Sequence, residues 1–216
     1  MYLQIKRAIR KLFSRKIRFK NSKDYWNKRY LEGGNSGSGS YGRLAEFKAE
    51  VLNDFVNSNN IETVIEFGCG DGNQLKYMNY PTYVGFDVSV IAIEGCQTIF
   101  QNDNTRRFKL MCEYSCDQAD LTISLEVIFH LIEDDVYHDY MCKLFSSSRG
   151  YVIIYSSNTD ENKEGQAIHV KHRKFTKWIE ENKVPFQFVK KIKNQHPFNG
   201  SNDSSFSDFY FYERKY

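Results

Sequence analysis

From residue 43 onward the apolar positions switch repeatedly between helical and strand periods. Leu44, Phe47, Val51, Leu52, Phe55 and Val56 recur at helical spacing, and the Asn/Ser cluster at 57–60 ends that stripe. Thr63–Phe67 then reads as a strand, followed by a glycine-rich turn and a short helix to about Asn79. Tyr83–Phe86 is a second strand closed by Asp87, with Ser89 placed to cap a helix running toward Phe100. Arg107–Leu110 and Leu121–Leu125 read as the third and fourth strands. A helix from about Asp134 to Phe145 is expected to bury Val136, Tyr140, Leu144 and Phe145. Tyr151–Tyr155 is a fifth strand, and a helix at about Thr176–Asn182 precedes two more, Phe186–Ile192 and Phe206–Tyr212. Strands alternating with helices predict an α/β fold: one mostly parallel, doubly wound sheet covered on both faces. The last two strands have no helix between them, which predicts an antiparallel edge.

The first 42 residues follow a different pattern. Tyr2, Ile5, Ile9, Leu12 and Phe13 have helical spacing, with Lys6, Arg7, Arg10 and Lys11 between them, so residues 1–23 read as a basic amphipathic leader. Residues 24–42 hold the segment DYWNKRY and then the stretch GGNSGSGS, expected to be a flexible hinge in a lid. Residues 43–216 form the single predicted domain.

Charge sharpens this division. Nine of the 30 Lys and Arg residues, and none of the 27 Asp and Glu residues, lie in residues 1–23, so the remainder carries 21 bases against 27 acids. An acidic domain is poorly suited to gripping nucleic acid phosphates, and no nucleic acid partner is expected. The leader suits an anionic membrane surface or an acidic partner of the same pathway. No apolar run reaches the ~20 residues of a membrane span, and no secretory h-region is evident. Five scattered cysteines without a CxxC pair read as reduced thiols, with no metal site, in a cytoplasmic protein.

The most informative residues are Val64-Ile-Glu66-Phe-Gly68-Cys-Gly70-Asp-Gly72. Apolar β-formers run straight into glycines spaced GxGxG, which allow a tight turn and close approach of a ligand to the backbone. A dinucleotide fold wants GxGxxG, whereas here the third glycine comes early and an acid precedes the first. Both features favour a cationic ligand. At this point the chain resembles the class I S-adenosylmethionine-dependent methyltransferases, over nearly all of residues 24–216. The resemblance implies a Rossmann-like sheet of seven strands with an antiparallel last strand, and S-adenosylmethionine as cofactor. It implies that Glu66, Gly68, Cys69 and Gly70 cradle the methionine part and sugar. Asp87, beside Val88, would hold the ribose hydroxyls. Met111, Cys112 and Glu113 would bracket adenine, Leu125 ends the corresponding fourth strand, and Arg43 would pair with the cofactor carboxylate.

His130 follows the fourth strand at the carboxyl edge, where ligands bind such sheets, and is the candidate base. Its alternative role is packing over the cofactor. Glu126 lies four residues earlier and can share a helical face with it. The cluster His169-Val-Lys-His172-Arg173-Lys174 supplies a second set: His172 as a reserve base, with His169, Arg173 and Tyr41 as acceptor contacts. The expected activity is O-methylation of a small or glycan-like acceptor, as in surface-polysaccharide biosynthesis. The rival readings are a nicotinamide-dependent oxidoreductase, disfavoured by the glycine spacing, and a non-catalytic cofactor-binding module.

Overall fold

Seven strands carry the described part of the chain: β1 (Thr63–Phe67), β2 (Thr82–Asp87), β3 (Arg106–Leu110), β4 (Ala119–Leu125), β5 (Ser148–Ser156), β6 (Phe186–Ile192) and β7 (Asp208–Arg214). They form one sheet in the order β3-β2-β1-β4-β5-β7-β6 in a computed structural model that describes residues 19–215. Strands β1 to β5 pair in parallel, and β7 inserts antiparallel between β5 and β6. The alternation predicted from the sequence therefore gives the sheet, and its edge is antiparallel as expected.

Alternate residues on each strand feed two cores. On one face, Val64, Leu121, Ile153 and Tyr155 pack against Phe47, Leu52 and Phe55 of α2 (Gly42–Ser58), and Ile93 and Cys96 of α3 (Val90–Ile99) join them. On the other face, Ile65, Phe67, Val152 and Ile154 meet Tyr140, Met141, Leu144 and Phe145 of α4 (Asp134–Ser146). Phe175 and Ile179 of α5 (Phe175–Glu181) complete that second core. Ser89 caps α3, accepting from the Ala92 N–H at 3.4 Å. The side chains that α4 buries differ from expectation: Tyr137 and Met141 are buried as well, and Val136 is exposed.

One local expectation is also corrected. The segment after the glycine turn is a single 3-10 turn, Gln74–Tyr77, rather than a short α-helix. The segment DYWNKRY, given no element from the sequence, lies in α1 (Ser22–Leu31), capped by Asn21, whose side chain accepts from the Asp24 N–H at 2.7 Å. The leader proposed for residues 1–23 falls mostly outside the described residues.

Candidate active site

A cavity of about 660 Å³ opens where β1, β2 and β4 end, within the ~300–1,000 Å³ range of small-molecule sites. Its floor is the glycine turn. The N–H groups of Gly68 and Cys69 both donate to the Phe86 carbonyl, at 2.7 and 3.0 Å, drawing the end of β1 onto β2. Gly70 has φ +57°, and a Cβ there would fall 2.2 Å from Ser36 Oγ, so only glycine lets the 36–40 loop lie on the turn. That loop is not a free linker. Ser36 and Asp71 bond to each other through backbone and side chain, and Asn73 Nδ2 donates to the Ser40 carbonyl at 2.7 Å.

Asp87 stands at the end of β2, buried beside the turn. Its Oδ2 accepts the Gly70 N–H at 3.0 Å and its Oδ1 accepts the Ser89 N–H at 2.9 Å. Each oxygen keeps lone-pair capacity for a further donor. Burial raises its pKa, against the pull of these N–H groups. Glu66 lies deeper, with Oε2 accepting the Tyr83 hydroxyl at 2.6 Å. Burial pushes the Glu66 carboxyl up to about 7, opposed by Tyr83 and Lys48.

The opposite wall is built after β4. Glu126 takes φ +59°, a left-handed conformation rarely held by a non-glycine residue without support. Its N–H donates to the Tyr155 carbonyl at 2.7 Å. Its Oε2 accepts from Lys48 Nζ at 3.1 Å, while Oε1 accepts from Ser205 Oγ at 2.6 Å and Ser207 Oγ at 3.4 Å. Burial alone pushes this carboxyl up, but Lys48 and Ser205 outweigh it and hold it below the ordinary glutamate value.

His130 projects into the same cavity, with its Nδ1 2.9 Å from the His169 carbonyl. A carbonyl oxygen only accepts, so Nδ1 carries the proton and Nε2 keeps its lone pair. Burial lowers the His130 pKa to about 4, so the ring is neutral near pH 7. Trp26 meets this ring edge-on at 5.0 Å, and His169 stacks on it at 5.3 Å. Tyr25 in turn stacks on His169 at 4.3 Å.

A family model described as a methyltransferase domain matches residues 9–191. The chain belongs to the methyltransferase domain family. No curated protein matches this methyltransferase. Among solved structures it is similar to the N-methyltransferase NodS from Bradyrhizobium japonicum in complex with S-adenosyl-L-homocysteine. The TM-score is 0.70 at 15% identity, over 90% of this chain and 99% of that one. Magnesium protoporphyrin IX methyltransferase from Synechocystis, with the same product bound, aligns at TM-score 0.65 and 14% identity, over 89% and 98% of the two chains. By family and fold this is a class I, S-adenosylmethionine-dependent methyltransferase. Its own residues fit that cofactor: a glycine-rich turn, and Asp87 with an acceptor site on each oxygen, border the same cavity.

The structure sorts the residues singled out from the sequence. Glu66, Gly68, Cys69, Gly70 and Asp87 line the methyltransferase cavity, and so do Val88, Met111 and Leu125. Glu126, His130 and His169 line it from the opposite wall. Arg43 does not: it is exposed and paired with Asp203, Nη2 to Oδ2 at 3.0 Å. Tyr41 donates to Asp71 Oδ2 at 2.7 Å on the outer surface of the turn. Cys112 is exposed, and Glu113 folds back to accept the Leu110 N–H at 2.6 Å, so neither borders the cavity. His172 lies outside too, 2.7 Å from Ser157 Oγ and edge-on to Phe206. Arg173 is a buried pin rather than an acceptor contact: it donates to the carbonyls of Leu131 and Ile132 and to Asp134. Among the described residues no group of three His, Cys, Asp or Glu side chains is disposed to hold a metal ion.

Lys48 was missed, although its signal was present: it interrupts the buried stripe four residues after Leu44. Ser205 and Ser207 sit in a polar loop whose composition carries no such signal.

Proposed function

We propose that this methyltransferase transfers its methyl group to an oxygen of a small or glycan-like acceptor, with His130 as general base. The observation that carries the reading is the fixed tautomer of His130, whose Nδ1–H is held by the His169 carbonyl at 2.9 Å. An unprotonated Nε2 in a cavity is what an acceptor hydroxyl needs to lose its proton during attack. S-adenosylmethionine, when bound, supplies an electrophilic methyl carbon on a sulfonium leaving group. Glu66, the Gly68–Gly70 turn and Asp87 hold it, Asp87 through its two oxygens. Glu126 remains ionised beside Lys48 and shapes the acceptor wall. Residues 24–42 act as a lid over the cavity, supported by the presence of Trp26, Ser36 and Gly39 in its lining.

We place this activity in the cytoplasm, in a polysaccharide-type pathway, with the basic residues 1–23 meeting an anionic membrane face or an acidic partner. The nine Lys and Arg residues and the absence of Asp and Glu in that segment support this. No helix among the described residues is long and apolar enough to cross a membrane. The test is methyl transfer from labelled S-adenosylmethionine to a panel of nucleotide sugars and polysaccharides. Label in an ether, lost with His130→Ala, is the expected result; label only in amines or thiols would replace the reading.

A further inference from the structure

We propose that Lys48 and Glu126 act as one unit that reads a neutral hydroxyl of the acceptor and rejects carboxylates and amines at that position. The inference rests on the oxygen-acceptor reading above and deepens it. Both side chains line the cavity, and both are withdrawn from bulk water, at 1% and 15% side-chain exposure. An ammonium has three N–H donors. Lys48 gives one to Glu126 Oε2, and its charge lies 5.4 Å from the centroid of the Tyr155 ring. An ionised carboxylate has about four acceptor positions. Glu126 uses its positions on Lys48, Ser205 and Ser207.

The pair therefore offers an N–H donor and a carboxylate acceptor side by side, with no net charge. A hydroxyl satisfies both at once, accepting from the ammonium and donating to the carboxylate. An anionic group meets the charge of Glu126, and a cationic one meets that of Lys48. Gly39 covers the pair so closely that a Cβ there would fall 2.0 Å from Glu126 Oε2. That cover keeps water sparse, so a mismatch of charge is poorly screened. Ser201, Asn202 and Ser204 continue the same wall with uncharged hydrogen-bonding groups, as a polyol or sugar requires.

Saturation-transfer NMR on the full chain with S-adenosylhomocysteine tests this. The probes are methyl β-glucopyranoside, its 6-carboxylate analogue and its 2-amino analogue. The wild type is expected to take the neutral probe over both charged ones. Lys48→Met should weaken the neutral probe about tenfold or more, the scale of a charged hydrogen bond, and turn preference to the amine. Glu126→Gln should turn it to the carboxylate. Each single variant leaves a buried charge without its partner, so the double variant Lys48→Met/Glu126→Gln serves beside them. It should bind S-adenosylhomocysteine as the wild type does and lose discrimination among the probes. Neutral-probe binding that persists unchanged in folded variants, with no shift toward the charged probes, overturns the proposal and leaves the oxygen-acceptor reading standing. A wild type that takes none of the probes, or only a charged one, overturns the proposal too, while the oxygen-acceptor reading stands or falls on whether labelled methyl appears in an ether.

Discussion

Ser36 and Asp71 exchange two hydrogen bonds: the Ser36 N–H donates to Asp71 Oδ2 at 2.9 Å, and the Asp71 N–H donates to Ser36 Oγ at 2.9 Å. Tyr41 adds its hydroxyl to the same Oδ2, and Tyr30 lies 3.0 Å from Ser36 Oγ. The carboxyl stays below its ordinary value although burial opposes this, because the Ser36 N–H and Tyr41 outweigh it. A loop from residues 36–41 is thereby fastened to the turn that carries the cofactor motif.

Removing that fastening should loosen the cavity. Asp71→Ala is expected to speed dissociation of S-adenosylhomocysteine by about tenfold, the worth of one charged hydrogen bond. Stopped-flow fluorescence from Trp26 would read it. An unchanged off-rate would mean that the loop does not guard the ligand.

Asp87 tests the other side of the same turn. Asp87→Ala should weaken S-adenosylhomocysteine by roughly 1.5–3 kcal/mol in calorimetry, since it removes a charged acceptor. Unaltered affinity would remove Asp87 from the ribose role.

For His130 the expected split is in rate rather than binding. His130→Ala should lower kcat by about 10²–10⁴-fold and leave cofactor affinity nearly unchanged. With its pKa at about 4, the ring stays unprotonated at pH 5–8, so it should add no inflection near 6.5 to the wild-type kcat profile. Equal losses in rate and cofactor affinity would make it a packing residue.

Stability against pH should show two opposed slopes. His130 falls from 6.5 to about 4 on folding, so the unfolded chain binds more protons between those values and stability rises with pH there. Glu66 rises from 4.5 to about 7, so the native chain holds the extra proton and stability falls as pH climbs through that window. At about 1.4 kcal/mol per unit the two nearly cancel. Glu66→Gln should therefore unmask a gain of up to about 3 kcal/mol between pH 4 and 6.5 in chemical denaturation. Because burial also lowers His169 and His172 and raises Asp87, the His130 share is read as the part of that gain lost in Glu66→Gln/His130→Ala; no loss there would show that His130 titrates near its ordinary value.

Deleting residues 1–18 should leave methyl transfer in solution intact and abolish salt-sensitive sedimentation with anionic vesicles. Each base near such a surface contributes about 1 kcal/mol. Lost turnover in solution would instead place the leader in the active site.

The sheet and the glycine turn were legible because local pattern dictates them: Thr63–Phe67 alternates faces, and Gly70, at φ +57° and against Ser36, has no room for a side chain. The opposite wall of the cavity was less so. His130 could be placed at the carboxyl edge, but Lys48 reaches Glu126 across 78 residues and Ser205 reaches it across 79, contacts that no local pattern encodes. Arg43 illustrates the reverse error. Its chemistry suited a carboxylate, yet it begins a helix whose turn faces Asp203, and the nearer carboxylate took it. Val136 and Tyr137 were separated by one residue of helical phase, a difference set by how α4 rolls on the sheet rather than by α4 itself.

The insertion of β7 between β5 and β6 fixes an order of assembly. The chain emerges from its N-terminus, and β6 has no place in the sheet until β7 has been made, because β6 pairs only with β7 among the described strands. The loop bearing Ser205 and Ser207 is drawn to Glu126 by the same strand. A nascent chain can thus complete the glycine turn, Asp87 and Glu126 before the Ser205 and Ser207 hydroxyls that hold Glu126 have been made. On the proposed reading, the half that would hold the methyl donor matures first, and the half that would choose its recipient closes only with the last strand.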